Sequence, residues 1–318
     1  MRLRNADPEQ LFHAARAGDR AALARLLSLV ERGGEGARAV GRLAYPLGGR
    51  AYTVGITGSP GAGKSTLTSS IIGHLRARDE EVTVLAIDPS SPFTGGAILG
   101  DRVRMQEHAT DPGVFIRSMA TRGHLGGLAL AAPEAIRLLD AAGRENVIVE
   151  TVGVGQVEVE VAAKADTTVV VVNPGWGDAV QANKAGLMEV ADVFVINKAD
   201  RPGVDQTRRD LELMLDLSDL GEWRPPIVVT VGSTGAGVPE LWQAVQDHRR
   251  FAEKSGLLEE RRQRRLREEM RGIIMSRLDL RARELCGGDR YDELEADVLD
   301  RRLDPWSASD ELLRGVGA

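Results

Sequence analysis

The stretch that decides the fold is GITGSPGAGKST, Gly55 to Thr66. An apolar, β-branched run, YTVGITG (Tyr52–Gly58), leads into it, and the helical pattern TLTSSIIGHL (Thr66–Leu75) leads out. Within it Gly58 to Ser65 reads G-x-x-x-x-G-K-S. A chain that turns sharply from strand to helix on glycines leaves the first N–H groups of the helix pointing outward as a cradle for an anion. Lys64 adds a positive charge that reaches outer phosphate oxygens, and Ser65 adds a hydroxyl suited to Mg²⁺. Gly58, Ser59, Pro60, Gly61, Ala62, Gly63, Lys64, Ser65 and Thr66 are therefore expected to wrap the phosphates of a nucleotide.

Outward from this turn, five more short apolar runs alternate with helical stretches: VTVLAID (82–88), NVIVET (146–151), TTVVVVN (167–173), VFVINKAD (193–200) and PIVVTV (226–231). They do not alternate polar with apolar, as expected of strands covered on both faces in a mainly parallel sheet. The fold class is α/β, a P-loop nucleotide-binding domain over residues 51–250. Before it, Leu11, Ala14, Ala15, Leu23, Leu26, Leu27 and Val30 at helical spacing predict two short helices in an extension over residues 1–50, with Asp19 capping the second. Glu31–Leu43, rich in glycine, reads as a connection running into further helix. After Arg249 one long amphipathic helix is predicted, in an arm over residues 251–318. Leu266, Met270, Ile273, Ile274 and Leu278 form its apolar stripe, and its arginines, interleaved with glutamates, form a solvated face. Such a stripe needs cover, and a second copy of the chain is the simplest.

Composition narrows the function. The 318 residues are 42% hydrophobic, enough for one sizeable core with appended helices. A net charge of −6 argues against general nucleic-acid binding. Neither a signal peptide nor an uncharged apolar run long enough to span a membrane is present, so a soluble, cytoplasmic protein is expected. The single cysteine, Cys286, fits a reducing compartment and a structural role, and rules out a multi-cysteine metal site within one chain.

A phosphate loop alone does not choose the base. NKAD, Asn197 to Asp200, follows the strand VFVI. An aspartate at Asp200 accepts from both the ring N–H and the exocyclic amine of guanine, whereas adenine offers no such pair and leaves the carboxylate unpaired. Asn197, Lys198 and Asp200 thus favour GTP and GDP, and the backbone of Val231, Gly232 and Ser233, closing the last strand, is suited to the base oxygen. Three acids at strand or loop ends, Asp88, Asp101 and Glu150, join Ser65 as candidates to hold Mg²⁺ directly or through water. Glu150-x-x-Gly153 stands where G proteins usually carry Asp-x-x-Gly, so the Gly153 N–H can sense the γ-phosphate. Val154 follows, where fast GTPases carry a water-positioning glutamine. An apolar side chain cannot orient water, so intrinsic hydrolysis is expected to be slow, with Gln156 displaced by two positions. In the loop NPGWGDAVQANKAG (173–186), Asp178 and Lys184 are the polar candidates and Trp176 a partner anchor or a packing residue.

GDRAALARLLSLVE, DPSSPFTGGAILGDRVRM, ETVGVGQVEVE, GDAVQANKAGLMEVADVFVINKAD and LDPWSASDELL, with the phosphate loop, together resemble the MeaB/ArgK family over nearly the whole chain. That resemblance implies a homodimeric GTPase, joined partly through its C-terminal helices, that serves as chaperone to a cobalamin-dependent acyl-CoA mutase of the methylmalonyl-CoA mutase type. It implies gating of adenosylcobalamin loading and protection of the mutase from inactivation. It also assigns Lys64, Ser65, Asp88, Asp101 and Glu150 to phosphate, Mg²⁺ and catalysis, and Asp178 with Lys184 to a third switch that responds to the mutase. Val231 in the base loop, Val157 and Ala179 depart from the family pattern. Two other readings compete. A nickel-type metallochaperone GTPase would need clustered metal ligands, but the five histidines are scattered. An ATPase or kinase assisting amino-acid transport conflicts with NKAD.

Overall fold

A computed structural model describes residues 7–89, 106–121, 127–151, 164–175 and 190–314. The sheet has seven strands, all paired in parallel: β1 (Tyr52–Gly58), β2 (Val82–Pro89), β3 (Val114–Thr121), β4 (Asn146–Thr151), β5 (Thr167–Val172), β6 (Val193–Ile196) and β7 (Ile227–Val229). Their order is β3-β2-β4-β1-β5-β6-β7. Because every strand runs the same way, Gly58, Thr151, Val172, Ile196 and Val229 end at one edge. The chain departs to opposite sides of β1, which sets the crevice where ligands enter such sheets beside the phosphate loop.

Both faces are covered, which explains the unbroken apolar runs. Helices α1 (Pro8–Arg16), α2 (Arg20–Arg32), α3 (Gly34–Ala44) and α5 (Gly127–Ala141) form a core with Leu85, Ile87, Val147 and Val149. Helix α4 (Lys64–Arg76) and α7 (Val238–Ser255) cover Val54, Ile56, Val84, Ile148, Val169, Val171 and Val195 on the other face. Val170, Val172, Phe194 and Ile196 pack against α6 (Val204–Asp216).

The structure departs from expectation in three places. The sheet has a seventh strand, β3, whose apolar run is interrupted by Arg117. That guanidinium lies 3.1 Å from Glu31 and 3.0 Å from Ser28 Oγ, so α2 shields this edge strand with polar contacts. Ahead of β1, Asp19 caps α2 through its bonds to Ala21 and Ala22 N–H, and a further helix follows. The glycine-rich stretch is largely α3, since Gly33 and Gly34, at φ +73° and +74°, make the turn alone. The helix expected after Arg249 is broken at Gly256, φ +79°, where α7 ends and α8 (Leu257–Leu285) begins. Two compact units are resolved, residues 1–266 and 267–318. The second carries the rest of α8, α9 (Asp289–Leu299) and α10 (Pro305–Arg314), with Leu294 and Ala308 as its buried apolar residues. Cys286 is exposed. Among the described residues no helix is long and apolar enough to cross a membrane.

Candidate nucleotide site

The turn after β1 is built on glycine for steric reasons. Gly58 has φ +138°, and a Cβ there would lie 2.0 Å from the Val171 carbonyl oxygen on β5. Gly63, φ +87°, precedes α4 with no side-chain cap, so the N–H groups of the first turn face outward for an anion. Lys64 is buried, its ammonium donating to the carbonyls of Gly58 (2.9 Å) and Ser59 (3.1 Å) across the mouth of the loop. Ser65 Oγ donates to Glu150 Oε1 at 2.6 Å. Glu150 is fully buried on β4, level with Ile56 of β1 and Ala86 of β2. Two hard oxygens thus meet at the foot of the loop, a donor set that fits Mg²⁺. The backbone of Asp88 lies at the same edge, near the end of β2. Asp101, Gly153, Val154, Gln156, Val157, Trp176, Asp178, Ala179 and Lys184 lie outside the described residues.

The base side is held by Asn197. Its Nδ2 donates to the Ala62 carbonyl of the phosphate loop at 2.8 Å, while its Oδ1 accepts from Thr230 Oγ1 and Gly232 N–H, both at 3.0 Å. A Cβ on Gly63 would come within 2.6 Å of that Nδ2, so the glycine is what lets the amide approach. Lys198 adopts φ +58° and donates from its ammonium to the Gly61 carbonyl, where Asn173 Nδ2 also reaches at 3.4 Å. Asp200 stands exposed at the rim. In the following turn the Val231 N–H donates to Ala236 O and the Gly232 carbonyl accepts from Ser70 Oγ at 2.5 Å. Ser233 is exposed, its N–H carrying no bond within the described residues.

Thus the structure brings together Gly58 to Ser65, Glu150, Asn197, Lys198 and the turn at Val231 to Ser233. Sequence reasoning missed Ser70, Asn173 and Thr230. Thr230, immediately after β7 and before the glycine turn, is the one with a local signal; Ser70 and Asn173 act across long separations.

At the opposite edge the chain builds a buried ionic cluster. Asp166 and Asp192 immediately precede β5 and β6 and accept from the N–H of Thr53 (3.0 Å) and Thr168 (2.8 Å) on neighbouring strands. Arg261 binds Asp192 with two 2.9 Å hydrogen bonds, and Arg262 and Arg265 bind Asp166. His248, buried on α7, lies 3.1 Å from Asp192 and 2.8 Å from Thr167 Oγ1. Burial would raise both carboxyl pKa values; hydrogen bonds and charges from His248, Arg261, Arg262 and Arg265 outweigh it and hold them below the ordinary range. Burial also pushes the Tyr52 phenol up. The arginines of α8 read as a solvated face therefore include three that are half-buried anchors. The reason is the pair of carboxylates, which no helix periodicity reveals.

The sequence matches the family described as Methylmalonyl Co-A mutase-associated GTPase MeaB over residues 23–285. The chain belongs to the MeaB family. The match runs from α2 to the end of α8 and so contains the whole sheet and both halves of the site. A protein of Pyrococcus abyssi that carries a GTPase name is 52% identical over 97% of this chain and 96% of its own length. GTPase ArgK of Escherichia coli is 41% identical over 80% of each chain. The Mus musculus protein named methylmalonic aciduria type A homolog, mitochondrial, is 34% identical over 83% of this chain and 65% of its own. The crystal structure of LAO/AO transport system kinase aligns over 100% of both chains, with a TM-score of 0.73 and 29% identity. This MeaB-family chain is a GTPase built on a parallel α/β sheet.

Proposed function

We propose that the chain is a GTP-hydrolysing chaperone of a cobalamin-dependent acyl-CoA mutase of the methylmalonyl-CoA mutase type, gating adenosylcobalamin loading and protecting the mutase from inactivation. The family description and the name of the mouse relative support the mutase as partner. The observation that carries the guanine-nucleotide reading is Asn197, whose one amide joins the phosphate loop at Ala62 to the base turn at Gly232.

On this reading Gly58 to Thr66 bind the phosphates, with Lys64 turning its ammonium from backbone carbonyls to phosphate oxygens. Ser65 and Glu150, with Asp88 and Asp101, hold Mg²⁺, which when bound neutralises charge on the phosphates. Asp200 accepts from the guanine ring N–H and amine, and the Ser233 N–H donates to the base oxygen. Gly153 reports the γ-phosphate, and Asp178 with Lys184 respond to the mutase. Hydrolysis by the chain alone is slow, because Val154 cannot orient water.

The nucleotide domain is residues 51–250, flanked by a helical extension over 1–50 and an arm over 251–318 that works as part of a cytoplasmic homodimer. Leu266, Met270, Ile273, Ile274 and Leu278 are 36–61% exposed in sequence positions that fall on one stripe of α8, which supports a second copy as their cover. The likeness to a transport system kinase keeps ATP turnover as the second reading. Sedimentation of the chain with the mutase, in GDP and in a non-hydrolysable GTP analogue, tests the partner. A complex whose stability differs between the two nucleotides is expected; no complex in either state refutes the chaperone role.

A further inference from the structure

Ser70 lies outside the phosphate-loop motif, on the second turn of α4, yet its hydroxyl donates to the Gly232 carbonyl at 2.5 Å across 162 positions. Gly232 in turn donates its N–H to Asn197 Oδ1 at 3.0 Å, and Asn197 Nδ2 reaches the Ala62 carbonyl at 2.8 Å. Ala62 leads through Gly63 into α4, which closes a ring from phosphate loop to base turn and back. The glycine is what lets the turn lie so close. A Cβ on Gly232 would stand 3.3 Å from both Leu67 N and Asn197 Oδ1, tighter than ordinary contact, with helix backbone on one side. Gly232 is buried and Ser70 half-buried, so this carbonyl has little access to water as an alternative partner.

We propose that Ser70 is a positioning residue for the base: its hydroxyl pins the Val231–Ser233 turn to α4 and so presets the distance between the base and phosphate subsites. The inference rests on the guanine reading of that turn. Without the hydroxyl, the carbonyl of buried Gly232 is left unpaired, and the turn that faces the base loosens. The phosphate loop, held by its own glycines and by Asn197, keeps its shape. The loss is therefore in the residence of the nucleotide and confined to its base.

The test follows release of a fluorescent ribose-labelled GDP from the full chain, with labelled ADP alongside, in wild type, Ser70→Ala and Gly232→Ala. Competition by pyrophosphate reads the phosphate subsite alone, and single-turnover hydrolysis reads the chemical step. One lost hydrogen bond predicts GDP release about fivefold faster in Ser70→Ala. Pyrophosphate affinity and the single-turnover rate are expected to stay within about twofold of wild type. Gly232→Ala, whose Cβ would press on Leu67 N of α4 and on Asn197 Oδ1, is expected to release GDP faster as well. Unchanged GDP release in Ser70→Ala overturns the proposal, as does a parallel loss of pyrophosphate affinity, which would mean that α4 itself is disturbed. Wild type that holds ADP as well as GDP would instead refute the guanine reading.

Discussion

Replacing Arg262 by alanine tests whether the ionic cluster anchors α8 to the sheet. The side chain makes bonds of 3.2 and 2.8 Å to Asp166 and donates to the carbonyls of Gly49 (2.8 Å) and Ala51 (2.7 Å), so one residue ties helix, strand start and the segment entering β1. Removing one member of a buried pair costs about 3–5 kcal/mol, mostly because the remaining charge is stranded. Asp166 keeps Arg265 and the Thr53 N–H, which places the expected cost at the lower end, about 3 kcal/mol. At roughly 2 °C per kcal/mol for a unit of this size, the thermal midpoint should fall by about 6 °C. Urea unfolding followed by circular dichroism should show a lower midpoint with an unchanged slope. Arg271→Ala, an exposed position on the same helix, is expected to change stability by less than about 0.5 kcal/mol. A loss under about 1 kcal/mol in Arg262→Ala would show that the cluster is no anchor.

Asp200→Asn should cut GDP affinity by about 100-fold or more and improve binding of xanthosine diphosphate, whose ring carbonyl accepts where guanine donates; titration calorimetry reads both, and unchanged selectivity would remove Asp200 from the base site. Gly63→Ala, which sets a Cβ within 2.6 Å of Asn197 Nδ2 at φ +87°, should abolish tight nucleotide binding, while the nucleotide-free protein stays folded and loses about 1–3 kcal/mol of stability. Retained affinity would mean that the loop yields more readily than its contacts imply. The depressed folded-state pKa values of Asp166 and Asp192 make their stabilisation fully present above about pH 5. It is lost as pH falls through the unfolded value near 4 and on to the folded values. Urea midpoints measured against pH should therefore drop on the acid side, and Asp192→Asn should make that limb shallower by at most about 1.4 kcal/mol per pH unit; an equally steep limb would contradict the assignment.

Where residues act locally, the sequence was readable. The G-x-x-x-x-G-K-S turn needs glycines because Gly58 abuts β5 and Gly63 abuts Asn197, and six strands showed as apolar runs, most of them because both faces are buried, with β7 half-buried. What escaped depends on contacts between distant segments. Strand β3 was hidden by Arg117, whose charge is met by Glu31 of α2. Arg261, Arg262 and Arg265 carry the pattern of a solvated helix until Asp166 and Asp192 are placed beneath them. Ser70 is one more polar residue on α4 until Gly232 arrives over it. The helix break at Gly256 was legible in principle, since a lone glycine in a helical pattern marks either a cap or a cost, but the flanking charge periodicity ran through it.

In the function proposed above, nucleotide hydrolysis in this site answers to a cobalamin-dependent acyl-CoA mutase. The direct measurement is phosphate release from GTP by the purified chain, alone and with that mutase from the same cell, with ATP as control. Slow turnover alone, a several-fold rise only when the mutase is added, and no turnover of ATP are expected. Rapid turnover by the isolated chain, at about 10 per second, or a rate indifferent to every such mutase, would contradict that function.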